Sequence, residues 1–227
     1  MGYTHYLYQE RTLDKENFAK VVKDFKKLMP IFPDMGITLA SWNGEGEPEI
    51  KPSEIAFNGL EKCGHEKRNL GITWPAKGAS GINLAYKQEE PVETETIVTQ
   101  LCGEKESLRA NDSDVDGTWF AGCKLNQRTC GGDCSHESFI LKRTFRKAYD
   151  SQVPCDRKDE PEYNKWFSCC KTAYKPYDLA VISCMIIAKH HLGEQVLIHS
   201  DGDIEDWADG MILCQKILGY GKNFKLD

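Results

Sequence analysis

The stretch PYDLAVISCMIIAKHHLGEQVLIHSDGDIEDWADGMILCQKILG, residues 176–219, decides how the rest of the chain is read. Leu179 to Ala188 is apolar nearly all round and interrupted only by Ser183, the pattern of a helix central to a core rather than lying on its surface. Pro176 fits the first helical position, where a missing amide hydrogen costs nothing, and Gly193 ends the helix. Gln195 to His199 then reads as a short buried strand, and Ser200-Asp201-Gly202 as the turn after it. Asp203 suits an N-cap with Asp206 in the favoured first turn. Trp207, Met211, Ile212, Cys214, Ile217 and Leu218 form the buried stripe of a second helix, closed by Gly219.

Outward from this helix–strand–helix unit the signals are shorter. Gly2 to Gln9 predicts a first strand with Tyr3, His5 and Leu7 on one face and Thr4, Tyr6 and Tyr8 on the other. Phe18, Val21, Val22, Phe25 and Leu28 recur at helical spacing and predict a helix over about 13–29, stopped by Pro30 and Pro33. Strands are expected at Ile37 to Trp42 and at Glu54 to Asn58, the latter turning at Asn58-Gly59. Shorter ones are expected near Gly81 to Tyr86, near Thr94 to Leu101, and from His136 through Phe145. Asp150 to Glu162 reads as a loop. The result is an α+β domain spanning 1–227, with a mixed or antiparallel sheet, about three main helices and the carboxy-terminal helix–strand–helix unit.

Residues 88–134 stand apart as an irregular acidic and cysteine-rich excursion. Gln88 to Asp116 holds nine acidic residues against Lys105 and Arg109, a local charge of −7. The whole chain of 227 residues carries 29 Lys and Arg against 35 Asp and Glu, net −6, which disfavours nucleic acid as a partner. A basic run at Lys142, Arg143, Arg146 and Lys147 is the one local exception. No run approaches the length of a membrane span, and the amino terminus lacks a signal-peptide pattern, so a cytoplasmic setting without a membrane is expected. There the ten cysteines would be reduced thiols.

Five groups of residues carry chemistry. Cys123-x6-Cys130-x3-Cys134-x-His136 has the ligands zinc prefers but no Cys-x2-Cys knuckle; its spacing admits zinc, a local disulfide or unligated thiols. Asp112-x-Asp114-x-Asp116-Gly117 begins like a calcium loop, but Cys123 stands where the bidentate Glu belongs. Ser200-Asp201-Gly202-Asp203 follows a strand and opens a helix, which places Asp201 where divalent ions and ligands are commonly held, and also where turn and cap chemistry alone selects the same residues. Near Pro176, Lys171 or Lys175 can neutralise an anionic group, with Asp178 orienting a lysine or stabilising the helix start. His136-Glu137 is a neighbouring imidazole and carboxylate whose side chains, on a strand, point to opposite faces.

The elements Met-Gly-Tyr-Thr-His-Tyr at 1–6, Phe57-Asn58-Gly59, His136-Glu137-Ser138-Phe139, Lys171-Thr172 with Pro176-Tyr177-Asp178, and Ser200-Asp201-Gly202 with Trp207 occur in this order along nearly the whole chain. Together they resemble a small bacterial and phage family to which no activity is attached, with Leu7 where the family pattern has Trp. The resemblance implies no reaction, but it adds His5 and Asn58 to the residues of interest. Two readings follow. In one, His136, Glu137, Asp201 and His5 are catalytic and Asn58, Lys171 and Asp178 bind the ligand. They line the pocket of a small enzyme, such as a hydrolase, or of a binding domain for a phosphorylated or other anionic small molecule, with zinc or another divalent cation as the cofactor to consider. In the other, the protein is a non-catalytic phage or host accessory factor that engages a protein partner through its acidic loop.

Overall fold

A computed structural model describes residues 3–34, 37–63, 95–99, 105–109, 119–120, 123–124, 128, 133–146 and 155–227. In chain order these form β1 (Thr4–Gln9), α1 (Lys15–Leu28), a single turn α2 (Ile31–Asp34), β2 (Leu39–Ala40), β3 (Glu49–Lys51) and β4 (Glu54–Gly59). Then follow β5 (Glu95–Thr99), β6 (Lys105–Arg109), β7 (Trp119–Phe120), β8 (Cys123–Lys124), β9 (Phe139–Lys142), β10 (Trp166–Lys171), α3 (Asp178–Leu192), β11 (Val196–Ser200) and α4 (Ala208–Leu218). The fold is α+β with antiparallel sheets, three main helices and a closing helix–strand–helix unit.

One sheet has the order β10-β1-β11, with β1 antiparallel to both neighbours. The second is built around β4, which pairs with β2, β3 and β9. The two are stitched together where the Glu137 amide donates to the Lys171 carbonyl oxygen and where Thr12 bridges Thr144. Strand β1 buries alternate residues, Tyr3, His5, Leu7 and Gln9, against the helices. Helix α3 runs through the middle of the core and packs on α1, α4 and β11, buried from Asp178 to Ala188 because almost every position is apolar. It begins at Asp178, two residues after Pro176, since Tyr177 takes the cap position. Ahead of α4, Asp203 and Asp206 form a reciprocal capping box on the turn Ile204–Trp207, and Gly219 closes α4 at φ 83°.

Three expectations change. Strand β10 was not foreseen: WFSCCK has little alternation of its own, and its place is set by pairing with β1. Asn58-Gly59 is no turn but the end of β4, and Gly59 is required because a Cβ there would overlap the Cys134 backbone carbonyl. The strand expected near Thr94 to Leu101 is present as β5, which pairs antiparallel with β6 from Glu95↔Arg109 to Thr99↔Lys105, its Thr, Ile and Val residues favouring extended backbone. Strand β9 also stops at Lys142, short of Phe145. The proposed strand at Gly81 to Tyr86, the calcium-like run Asp112 to Gly117, Lys147 and Cys130 lie outside the described residues. No described helix is long and apolar enough to cross a membrane.

Candidate functional site

Strand register divides the candidate residues between two faces of the β10-β1-β11 sheet. His5 pairs with Cys170 on one side and Ser200 on the other, so these three side chains form one row on the buried face. Lys171 pairs with Thr4, whose carbonyl oxygen accepts from the Asp201 amide, which puts Lys171 and Asp201 in a row on the opposite face. The Asp201 carboxylate there accepts from the Tyr6 hydroxyl at 2.6 Å and the Thr4 amide at 3.0 Å, and these bonds, Tyr6 first, hold its carboxyl below the usual range.

The buried row continues into a polar chain that crosses the core. His5 has no exposed surface; its Nδ1 lies 3.1 Å from Ser200 Oγ and its Nε2 lies 2.8 Å from Asp178 Oδ1. Asp178 sits at the start of α3, where the helix N-terminus favours a carboxylate. Its Oδ1 also accepts from Thr172 Oγ1 at 2.5 Å, and its Oδ2 accepts from Arg128 Nε at 3.2 Å and Nη2 at 3.0 Å. Burial by itself would raise this carboxyl, but Arg128, His5 and Thr172 outweigh it and bring it to about 2, so Asp178 is an anion throughout the physiological range. Arg128, 1% exposed, bonds Asp209 through its other terminal nitrogen and so spans the first turns of α3 and α4. The order is therefore Ser200–His5–Asp178–Arg128–Asp209.

Among the chain from Ser200 to Asp178, only Ser200 has appreciable exposure. With the imidazole proton on Nε2, bonded to Asp178, the lone pair of Nδ1 accepts the Ser200 hydroxyl proton; the Ser200 oxygen meanwhile accepts from the Gly202 amide at 3.2 Å. On the other side of His5, the Cys170 thiol is buried, donates to the Glu137 carbonyl at 3.3 Å, and is pushed strongly upward by burial, so it remains a neutral thiol. Ser200 is the hydroxyl that His5 meets at Nδ1. The Tyr3 ring meets His5 edge-on at 4.7 Å and Trp207 meets it edge-on at 4.9 Å; Tyr3 Oη and Trp207 Nε1 are both buried without a hydrogen-bond partner.

The remaining candidates serve the end of the β4–β9 ladder and, through Glu137, its join to β10. Asn58 Nδ2 donates to the His136 carbonyl oxygen at 2.9 Å and Asn58 Oδ1 accepts from the His136 amide at 3.0 Å, extending the β4–β9 ladder by one side-chain rung. Glu137 accepts from the Lys171 amide at 2.7 Å. The side chains of His136 and Glu137 are exposed, and Lys175 donates to the Asp133 carbonyl. Of the expected metal set, Cys134 is buried and His136 exposed, while Cys130 and the Cys123 side chain lie outside what is described; the described residues contain no cluster of three metal-ligating side chains.

Of the seven pocket residues expected from sequence, the fold thus unites His5 with Asp178 and separates Asp201, Lys171 and the Asn58–His136–Glu137 group from them. It adds Ser200, Thr172, Arg128, Asp209 and Tyr3. Ser200 was legible: it shares strand parity with the apolar Ile198, which turns it inward as Leu7 turns His5. Arg128, in the stretch KLNQRTCGG, carries no signal of burial. The arrangement as a class is an α+β domain with a buried Ser–His–Asp hydrogen-bond chain at a strand end. The chain matches no protein-family model, no curated protein and no solved structure.

Proposed function

We propose that the protein is a small hydrolase in which Ser200 is the nucleophile, His5 the general base and Asp178 the carboxylate that orients it. The observation that carries this reading is the continuous chain Ser200 Oγ–His5 Nδ1, 3.1 Å, and His5 Nε2–Asp178 Oδ1, 2.8 Å, whose serine end alone has appreciable exposure. The ring is used in the opposite sense from the usual serine hydrolase, with Nδ1 facing the serine, but either imidazole nitrogen is competent as a base when the other is bonded to a carboxylate. Arg128 and Thr172 fix Asp178, and through it the His5 tautomer, before any substrate arrives.

The reaction is transfer of a group from a small ester to serine and then to water. Ser200 Oγ forms a bond to the electrophilic centre as its proton passes to His5 Nδ1. The bond to the leaving group breaks and that proton leaves with it. Water then attacks, gives its proton to Nδ1, and the released Ser200 oxygen recovers a proton from it. Phosphate esters, one kind of the anionic small molecules considered from the sequence, fall within this ester class beside acyl esters, and the bacterial and phage family resemblance is compatible with such an enzyme.

The test is covalent labelling of the full chain with a fluorophosphonate probe, read by intact mass and peptide mapping. A single adduct on Ser200, lost in Ser200→Ala with its melting temperature nearly unchanged and strongly slowed in His5→Gln, is expected. An unlabelled Ser200 in the folded protein removes the hydrolase reading and leaves the buried chain as a structural device.

A further inference from the structure

Resting on that reading, we infer that the Tyr3 hydroxyl is the oxyanion donor of the Ser200 centre and that the substrate is an acyl ester or amide rather than a phosphate ester. The Tyr3 side chain is 3% exposed, and its hydroxyl lies close enough to Ser200 to interact with it but makes no well-formed hydrogen bond. A buried hydroxyl without a partner costs roughly 1–3 kcal/mol, so native structures keep few of them and each calls for a reason. Here the surroundings hold the group in place. The Tyr3 ring stacks on Tyr174 at 4.0 Å with 15° between planes, and its carbonyl oxygen takes the Thr172 and Ala173 amides at 2.9 and 3.1 Å.

The backbone beneath that stack is strained. Ala173 and Tyr174 both adopt left-handed conformations, φ 50° and 54°, which a non-glycine residue enters only when the surroundings impose it. The strained pair presents Tyr174 to Tyr3, and so fixes the phenol against the turn after Ser200. Gly202 completes the fit: a Cβ there would lie 2.8 Å from Tyr3 Oη and 2.6 Å from Tyr3 Cε2, and would overlap the Asp206 carboxylate. Only glycine lets the phenol close onto the segment that carries the nucleophile. Burial, the largest influence, raises the Tyr3 hydroxyl above its ordinary range, so it stays protonated and is available as a donor.

The charge around this donor selects the substrate. The carboxylates of Asp178 and Asp206 bear on this hydroxyl, and the first basic residue after Ser200 in the chain is Lys216. Arg128 is held by two carboxylates, Lys175 donates to the Asp133 carbonyl, and Lys171 lies on the other face of the sheet. Among the described residues, the turn after Ser200 offers a phosphate ester, with two negative charges to neutralise, no basic side chain. A neutral carbonyl develops a single negative charge on one oxygen only in the transition state, and one neutral, dry donor matches that need.

Three proteins, wild type, Tyr3→Phe and Ser200→Ala, would be assayed with p-nitrophenyl acetate and with p-nitrophenyl phosphate. The inference expects acetate hydrolysis by wild type and little phosphate hydrolysis. In Tyr3→Phe it expects kcat to fall about 100-fold with KM little changed, because the hydroxyl acts on the transition state, and the melting temperature to be unchanged or higher, because the buried hydroxyl has no well-formed hydrogen bond to lose. Equal kcat in wild type and Tyr3→Phe, cleavage of the phosphate in preference to the acetate, or a clear loss of stability in Tyr3→Phe would each overturn this inference while leaving Ser200 as the nucleophile. Absence of any Ser200-dependent turnover in wild type would overturn the hydrolase reading and this inference with it.

Discussion

At the scale of single residues, the chemistry of this protein is concentrated in Asp178. A fully buried carboxylate is unfavourable unless its lone pairs are used, and here four donor atoms use them: His5 Nε2, Thr172 Oγ1 and two nitrogens of Arg128. The energetic consequence is a stability that depends on acid. An aspartate of the unfolded chain titrates near 3.8 and Asp178 in the fold near 2. Above about pH 5 it is ionised in both states and the full contribution, on the order of 2 kcal/mol, is present; as pH falls from 5 toward 2 the unfolded chain takes up the proton first and the contribution is lost. Asp24, held at about 2 by Lys27, His191 and Tyr220 against the opposing effect of burial, adds a loss in the same window. Urea denaturation measured between pH 5 and pH 2 should show stability falling steadily with acid, and Asp178→Asn should flatten that slope. An unchanged slope would contradict the four-donor description.

At the scale of elements, the junction between β4 and the segment leading into β9 depends on close approach. Strand β4 ends in Asn58-Gly59; the carboxamide supplies a ladder rung to the His136 peptide while the glycine admits the Cys134 carbonyl. Tyr177, at the cap of α3, donates to the Glu137 carbonyl at 2.6 Å and ties the helix to the same segment. Gly59→Ala places a methyl group against backbone, which cannot rotate away, so a loss of about 1–3 kcal/mol is expected in chemical denaturation. The Ser200–His5–Asp178 chain lies on a different sheet, so under the proposed function the folded fraction should retain its labelling at Ser200. By contrast Gly46, whose Cβ would meet nothing within 4 Å, offers a control in which only the positive φ of 71° opposes substitution.

At the scale of the whole molecule, Arg128 connects what the sequence keeps apart. It comes from the segment after β8, yet its guanidinium lies between Asp178 at the start of α3 and Asp209 at the start of α4. Removing it leaves two carboxylates in the core without their counter-charge. Arg128→Met is expected to cost about 3–5 kcal/mol by calorimetry or urea denaturation, as for other buried pairs that lose one partner. Arg128→Lys should recover only part of this, because one ammonium cannot bond Asp178 bidentately and reach Asp209 as well. A loss below 1 kcal/mol in Arg128→Met would place the arginine outside the core network.

The local patterns of this chain determined its elements wherever hydrophobic period and punctuation agreed: α1, α3, β11, the Asp203 cap and Gly219 all follow from spacing and capping chemistry that act over a few residues. Even the inward face of β1, and with it the placing of His5, was contained in strand alternation. Strand β10, the role of Asn58, and the separation of Asp201 and Lys171 from His5 depended on register between strands distant in sequence, which no local preference encodes. Arg128 is the extreme case: nothing near it in the chain is apolar enough to announce burial, and only two aspartates brought together by the packing of α3 against α4 create the place where a guanidinium is more stable inside than out.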